Sequence, residues 1–254
     1  MPEVEVDLTP KMKKLAAGLV LVAIIGFVTF MTLTAPQIWD MVHASRDVPD
    51  AGIADLNNGK TLFVAADCAI CHTSVNQKDP TLLGGGGSLS SAFGTFYMPN
   101  ISSDPKDGIG LWTTTQMIRA MREGVSPGGE TEYPVLPYTS YQRMSANDIR
   151  DLLAYMKTLP AVPGKVRDHD LKFPFTMRRG VGLWRLFFLD GKPLTTDAQQ
   201  TASWNRGKYL VEGPAHCAEC HSPRNFMGAI VAGKRFAGGA GARWQGLHSE
   251  YNER

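Results

Sequence analysis

Cysteine is scarce in this chain: four among 254 residues, which excludes the disulfide-dense scaffold of a small secreted domain. Charge is sparse as well, at 20% of residues with a formal net charge of +2, so no basic surface argues for nucleic acid. Between Leu15 and Gln37 charge is missing altogether. No dinucleotide or phosphate-loop fingerprint, metal-binding His-Glu cluster or Ser-His-Asp set is present. The run Gly84 to Gly87 is followed by Ser88 without a Gly-Lys-Ser/Thr ending, and reads as a flexible loop.

The few cysteines are all spent in one pattern, which occurs twice: Cys68-Ala69-Ile70-Cys71-His72 and Cys217-Ala218-Glu219-Cys220-His221. Two thiols three positions apart share one face of a helical turn and reach the two vinyl groups of a porphyrin as thioethers. The histidine that follows then stands under the iron as proximal ligand. A zinc site would bring its Cys-x-x-Cys pairs far closer together in sequence. A thioredoxin-like dithiol does not call for the histidine in both copies, and Cys-x-x-Cys is poorly placed for a structural staple. The pattern therefore predicts two covalently bound haem c groups, held by Cys68, Cys71, Cys217 and Cys220, with His72 and His221 on the irons.

The surroundings repeat too. Gly59-Lys60-Thr61-Leu62 precedes the first motif and Gly207-Lys208-Tyr209-Leu210 the second, nine or ten residues ahead of the first cysteine. Each reads as a short helix, and the chain as a tandem of related modules.

The uncharged run from Leu15 to Leu33 is long enough to cross a bilayer as a helix. Lys11, Lys13 and Lys14 precede it, so the positive-inside rule puts the N-terminus in the cytoplasm and the haem motifs on the periplasmic side of a bacterial inner membrane. A cleaved secretory signal is the rival reading. Its apolar core is usually shorter and ends in small residues, whereas here Pro36 stands where a cut would fall. The expected organisation is a cytoplasmic stub and signal anchor over 1–37, a polar tether over 38–52, a first module over 53–160, a linker over 161–203 and a partial second module over 204–254.

Within the first module, Phe93-Gly-Thr-Phe-Tyr-Met98-Pro99-Asn-Ile101 is apolar enough to line a haem. Thr113 or Thr114 opens a helix stopped by Gly124. Ser145 caps a helix whose apolar face is Ile149, Leu152, Leu153 and Met156, ended by Pro160. In the linker, apolar and basic residues interleave from Phe173 to Leu189. This fits packing across the module junction, or else a surface that lies on the membrane or docks a partner.

The order of haem motif, loops and final amphipathic helix resembles class I cytochrome c. The segments Phe93 to Ile101, Asp104 to Trp112, Arg122 to Ser126, Tyr133 to Tyr141 and Trp204 to Cys217 resemble the membrane-anchored multihaem cytochrome c subunits of bacterial periplasmic alcohol, gluconate and aldehyde dehydrogenases. The resemblance implies a mostly α fold, a transmembrane helix followed by tandem cytochrome c modules with the second short or incomplete. It also implies an electron carrier that takes electrons from a periplasmic dehydrogenase subunit or other redox protein and gives them to quinone or a terminal oxidase. In those relatives a methionine before the second proline of the Tyr-Pro-x-x-Pro-Tyr loop is the distal ligand; here that position is Leu136. Met144 is the first candidate to replace it and Met98 the second. The plain alternatives are a hydrophobic staple of Met144 on Ile149 and pocket packing for Met98. Only 33 residues follow His221, too few for a full module. Met227 is too close in sequence to wrap round to the far face, and His248 has little to recommend it. Another subunit or further chain would complete this module. A second functional class stays open: a haem enzyme or ligand-binding sensor of peroxidase or thiosulfate-oxidising type, using an iron that Leu136 leaves open.

Overall fold

The computed structural model describes residues 9–43, 49–192 and 194–238. Helix α1 (Pro10–Leu33) is 24 residues long with a mean hydropathy of 2.4 over its most apolar window. Thr9 caps it and Pro10 sits in its first turn, where a missing N–H costs nothing. By length and composition α1 can cross a membrane, and none of that window is buried inside the protein.

Part of the stretch expected as a tether is helical. Helix α2 (Pro36–His43) lays Trp39 into the protein at 2% exposure, and the indole Nε1–H donates to the Leu189 carbonyl at 3.2 Å. One large aromatic supplies enough buried area to dock so short a helix.

The first core is built by α3 (Leu56–Ala65), α5 (Thr114–Glu123) and α7 (Ala146–Met156). Between α3 and α5 come α4 (Cys68–His72) and a hairpin of β1 (Ser88–Ser91) and β2 (Gly94–Tyr97). Between α5 and α7 comes the single turn α6 (Tyr138–Tyr141). The caps are those the sequence implied. Thr113 and Gln116 make a capping box on α5, Gly124 ends it in the left-handed conformation, and Ser145 Oγ accepts from the Asp148 N–H. Ile149, Leu152, Leu153 and Met156 are buried together with Leu62, Phe63, Met117, Tyr141 and Met144. Gly59 lets α3 lie directly on α7: a β-carbon there would collide with the Asp151 carbonyl and sit 2.8 Å from the Tyr155 β-carbon.

The linker contributes structure of its own. β3 (Asp170–Leu171) adds to β2, making a three-stranded antiparallel sheet in the order β1-β2-β3. Phe96 on β2 packs against Tyr133 and His169. Helix α8 (Val181–Phe188) buries Trp184 and Arg185, closing a second cluster with Trp39, Tyr138 and Leu189. The Arg185 guanidinium lies over the Trp39 ring at 4.8 Å and pairs with Asp40 at 3.9 Å. Packing across the junction is thus what Trp184 and Arg185 do, while Phe173 and Phe187 stay exposed. Helices α9 (Ala202–Glu212) and α10 (Ala218–His221) carry the second motif, and α9 has no buried residue.

Candidate haem-attachment sites

Each motif begins on the same unusual backbone. Asp67, before Cys68, has φ 55°, and His216, before Cys217, has φ 40°. Left-handed backbone is uncommon outside glycine, and Asp and His are among the side chains that tolerate it. The kink starts the turn that carries both thiols, one residue after the C-cap of α3 in the first motif and three residues after the C-cap of α9 in the second. After each motif the histidine carbonyl accepts from a glycine N–H: Gly85 to His72 and Gly238 to His221, both at 2.9 Å. The internal repeat therefore extends to backbone geometry that the Gly-Lys-x-Leu pattern did not reveal.

In the first site His72 Nδ1 lies 2.8 Å from the Pro99 carbonyl. Because that oxygen can only accept, the Nδ1 carries the proton and Nε2 is the free lone pair, the arrangement a metal-bound imidazole needs. Burial pulls the His72 pKa below the ordinary imidazole value, partly opposed by the Pro99 bond, which keeps the ring in its neutral, ligating form. Burial pushes the Cys68 thiol up to about 12 and raises Cys71 as well. Cys68 packs against the apolar core that Leu62, Phe63 and Tyr141 help to form, and Cys71 and His72 follow on the same turn, so the residues fit a covalently held haem. The four cysteines are unpaired thiols.

The two motifs meet. Tyr141, 6% exposed, lies in the first core beside the residue that opens the second motif. Burial raises its pKa well above the ordinary value, and Cys68, Cys71 and Glu219 add to the effect. Its ring packs edge-on against His216 at 5.7 Å, and His216 Nε2 lies 3.3 Å from the Ala66 carbonyl at the end of α3. Cys220 is near enough to Cys71 to add to the rise in its pKa.

The methionines divide. Met98, 8% exposed, adjoins Pro99, whose carbonyl lies against His72 Nδ1. Its main chain is tied to Gly86 and Gly87. Met144, 1% exposed, lies in the first core with Tyr141 and Ile149, and a β-carbon at Gly213 would come within 3.7 Å of its Cγ. Leu136 packs against both cores. Met227 is 42% exposed and His248 lies outside the described residues. Sequence reasoning missed the contribution of Glu219, Thr139, Ser140 and Arg224, which join the second motif to α6; a polar residue inside a Cys-x-x-Cys spacing was the only available signal.

Two thiols on one turn, followed by an imidazole of fixed tautomer, are what a c-type haem site needs, and comparison with known proteins supplies the family. The cytochrome c profile matches residues 56–160. A diheme cytochrome c-type protein of Cereibacter sphaeroides is 37% identical over 239 residues, 92% of this chain and 77% of its own length. The fructose dehydrogenase cytochrome subunit of Gluconobacter japonicus is 38% identical over 192 residues, 75% of this chain. A nicotinate dehydrogenase subunit of Pseudomonas putida is 40% identical over 193 residues, 76% of this chain. The chain belongs to the cytochrome c family. It spans 39% of the length of the fructose dehydrogenase relative and 16% of that of the nicotinate dehydrogenase relative.

Proposed function

We propose that this chain is a membrane-anchored dihaem c-type cytochrome, the electron-transfer subunit of a periplasmic dehydrogenase, delivering electrons to quinone or a terminal oxidase. The observation that carries the reading is the contact between the segments that open the two Cys-x-x-Cys-His turns, where His216 meets the Ala66 carbonyl and the Tyr141 ring. Relatives named as a diheme cytochrome and as cytochrome subunits of fructose, alcohol and gluconate dehydrogenases support it.

In this reading Cys68 and Cys71 hold one haem c and Cys217 and Cys220 the other, with His72 and His221 as proximal ligands. Bound haem supplies a one-electron couple that needs no substrate chemistry from the protein. The chain's own residues set its environment. Pro99 holds His72 in one tautomer and orientation, Leu62, Phe63 and Tyr141 keep water from the first site, and Met144 is the distal ligand. Residues 53–160 form the first module, 161–203 the linker and 204–254 a short second module. Helix α1 anchors the chain in the inner membrane, with Lys11, Lys13 and Lys14 on the cytoplasmic side.

Intact mass should exceed that of the polypeptide by two haems that acidified acetone does not extract, and the protein should co-purify from membranes with a dehydrogenase. A one-haem mass, or a soluble native protein whose N-terminus lies near Pro36, would overturn the corresponding part. A second reading, a haem enzyme or sensor with an open first iron, draws on the packing of Met144 toward Gly213. Carbon monoxide separates the two: a reduced spectrum unmoved by the gas supports the carrier, and a shifted one supports the open iron.

A further inference from the structure

We infer that Glu219 is a positioning residue that locks the second haem-attachment turn to the loop facing the first. The inference rests on the dihaem reading and adds to it a specific coupling between the two sites. Glu219 occupies a place the attachment chemistry leaves free, the residue just before the second cysteine of the motif. In the first motif that place holds Ile70, which is 59% exposed and idle. The Glu219 side chain is only 10% exposed, and both its oxygens are engaged. Oε1 accepts from Thr139 Oγ1 at 2.6 Å and from Ser140 Oγ at 2.7 Å, while Oε2 pairs with Arg224 at 2.6 Å. The same Arg224 nitrogen donates to the Glu219 carbonyl at 2.8 Å, and its other terminal nitrogen donates to the Gly228 carbonyl at 2.6 Å.

The carboxylate's partners fall on two sides. Arg224 belongs to the segment after His221, so it fixes the turn to its own module. Thr139 and Ser140 belong to α6, immediately after Leu136 and Pro137 in the loop that, by resemblance, faces the first haem. Ser140 is fully buried. Hydrogen bonds to an ionised carboxylate at these lengths are the strong kind, and a mostly buried carboxylate left without them would carry an uncompensated charge. A shift of the second turn therefore draws α6 with it, and α6 directly continues the loop that, by resemblance, faces the first haem. No such link starts from the first motif, where Ile70 offers only an alkyl chain.

The test is proton NMR of the ferric full-length holoprotein, reading the haem-methyl resonances, which report each iron's ligand geometry separately. Glu219→Ala should move the resonances of both haems. Glu219→Gln keeps an oxygen for Thr139 and Ser140 and loses the charge opposite Arg224, so it should move those of the second haem and leave the first near wild type. The converse variant, Thr139→Val with Ser140→Ala, should move the second haem's resonances although both changes lie in the first module. The inference is overturned if Glu219→Ala moves only the second haem and the Thr139/Ser140 variant only the first. Should Glu219→Ala fail to mature, the Thr139/Ser140 variant decides by the same criterion. A wild-type mass with a single haem would overturn the dihaem reading and this inference together, and it is read before any variant is made.

Discussion

Gly59 and Gly207 hold the same place in the two halves of the repeat, each followed by lysine and then, two residues beyond that, by leucine, and their surroundings differ. Gly59 is pressed against the backbone of α7; around Gly207 a β-carbon would meet nothing within 4 Å. Helix α3 buries Gly59, Leu62 and Phe63, whereas α9 buries no residue. Around α9 the second half touches the first through polar groups: the Tyr209 hydroxyl accepts from the Ser145 N–H at 3.0 Å, and Arg206 reaches Asp148 at 3.5 Å. Like motifs therefore sit on unlike supports. The first has a core of its own, and the second borrows the surface of the first.

The largest test of that asymmetry removes the thiols of one motif at a time. Cys68 packs against the first core, so a Cys68→Ala/Cys71→Ala chain loses both haem attachment and the apolar surface that the core closes on. It is expected to yield no stable holoprotein. Cys217→Ala/Cys220→Ala should instead give a protein with one haem and a cooperative first module. Equal loss of both would show that the modules fold as one unit. The measurement is intact mass together with urea unfolding followed by the Soret band.

Met144→Ala comes next. Deleting a buried methionine side chain costs ~2–5 kcal/mol through lost transfer energy and the cavity it leaves. As the proposed distal ligand, Met144 should in addition lose the weak near-infrared sulfur-to-iron band of the first haem and open that iron to carbon monoxide. Stability loss with the band intact would leave Met144 as packing alone, against the first core and Gly213, and would give the ligand to another methionine; a first haem that lacks the band already in the wild type would favour the open-iron reading.

Gly59→Ala should cost about 1–3 kcal/mol, the usual range for overpacking, because the added methyl meets main chain rather than a mobile side chain. Urea midpoints at unchanged slope would measure it.

What could be read from the sequence divides along the same line. Helices α5 and α7 were legible because Thr113, Gly124 and Ser145 mark their ends and the apolar spacing marks their faces. The haem turns were legible because their chemistry fixes residue type and spacing together. Helix α2 was not: Trp39 docks it together with Asp40, which pairs with Arg119 and Arg185, and one aromatic beside one acid has no period. β3 was not, since a two-residue strand carries no alternation and exists only because β2 offers it an edge. The meeting of the motifs through Tyr141, His216 and Glu219 was hidden because those residues become neighbours only when the chain closes. The backbone kinks at Asp67 and His216 were hidden because two different side chains serve one conformation.

The smallest effect sharpens the comparison most. Gly207→Ala replaces a helix-interior glycine at a place with open space around it, and its backbone φ is not positive. With no clash to offset it, the gain in helix propensity should stabilise the chain by roughly 0.5–1 kcal/mol. The sign opposes that of Gly59→Ala, although the two substitutions fall at matching places in the repeat. A small rise in the urea midpoint of the second haem's transition would mark α9 as uncovered on that side. A loss comparable to that of Gly59→Ala would mean that α9 is covered in the working protein by a partner, and that the second module is closed in the same way as the first.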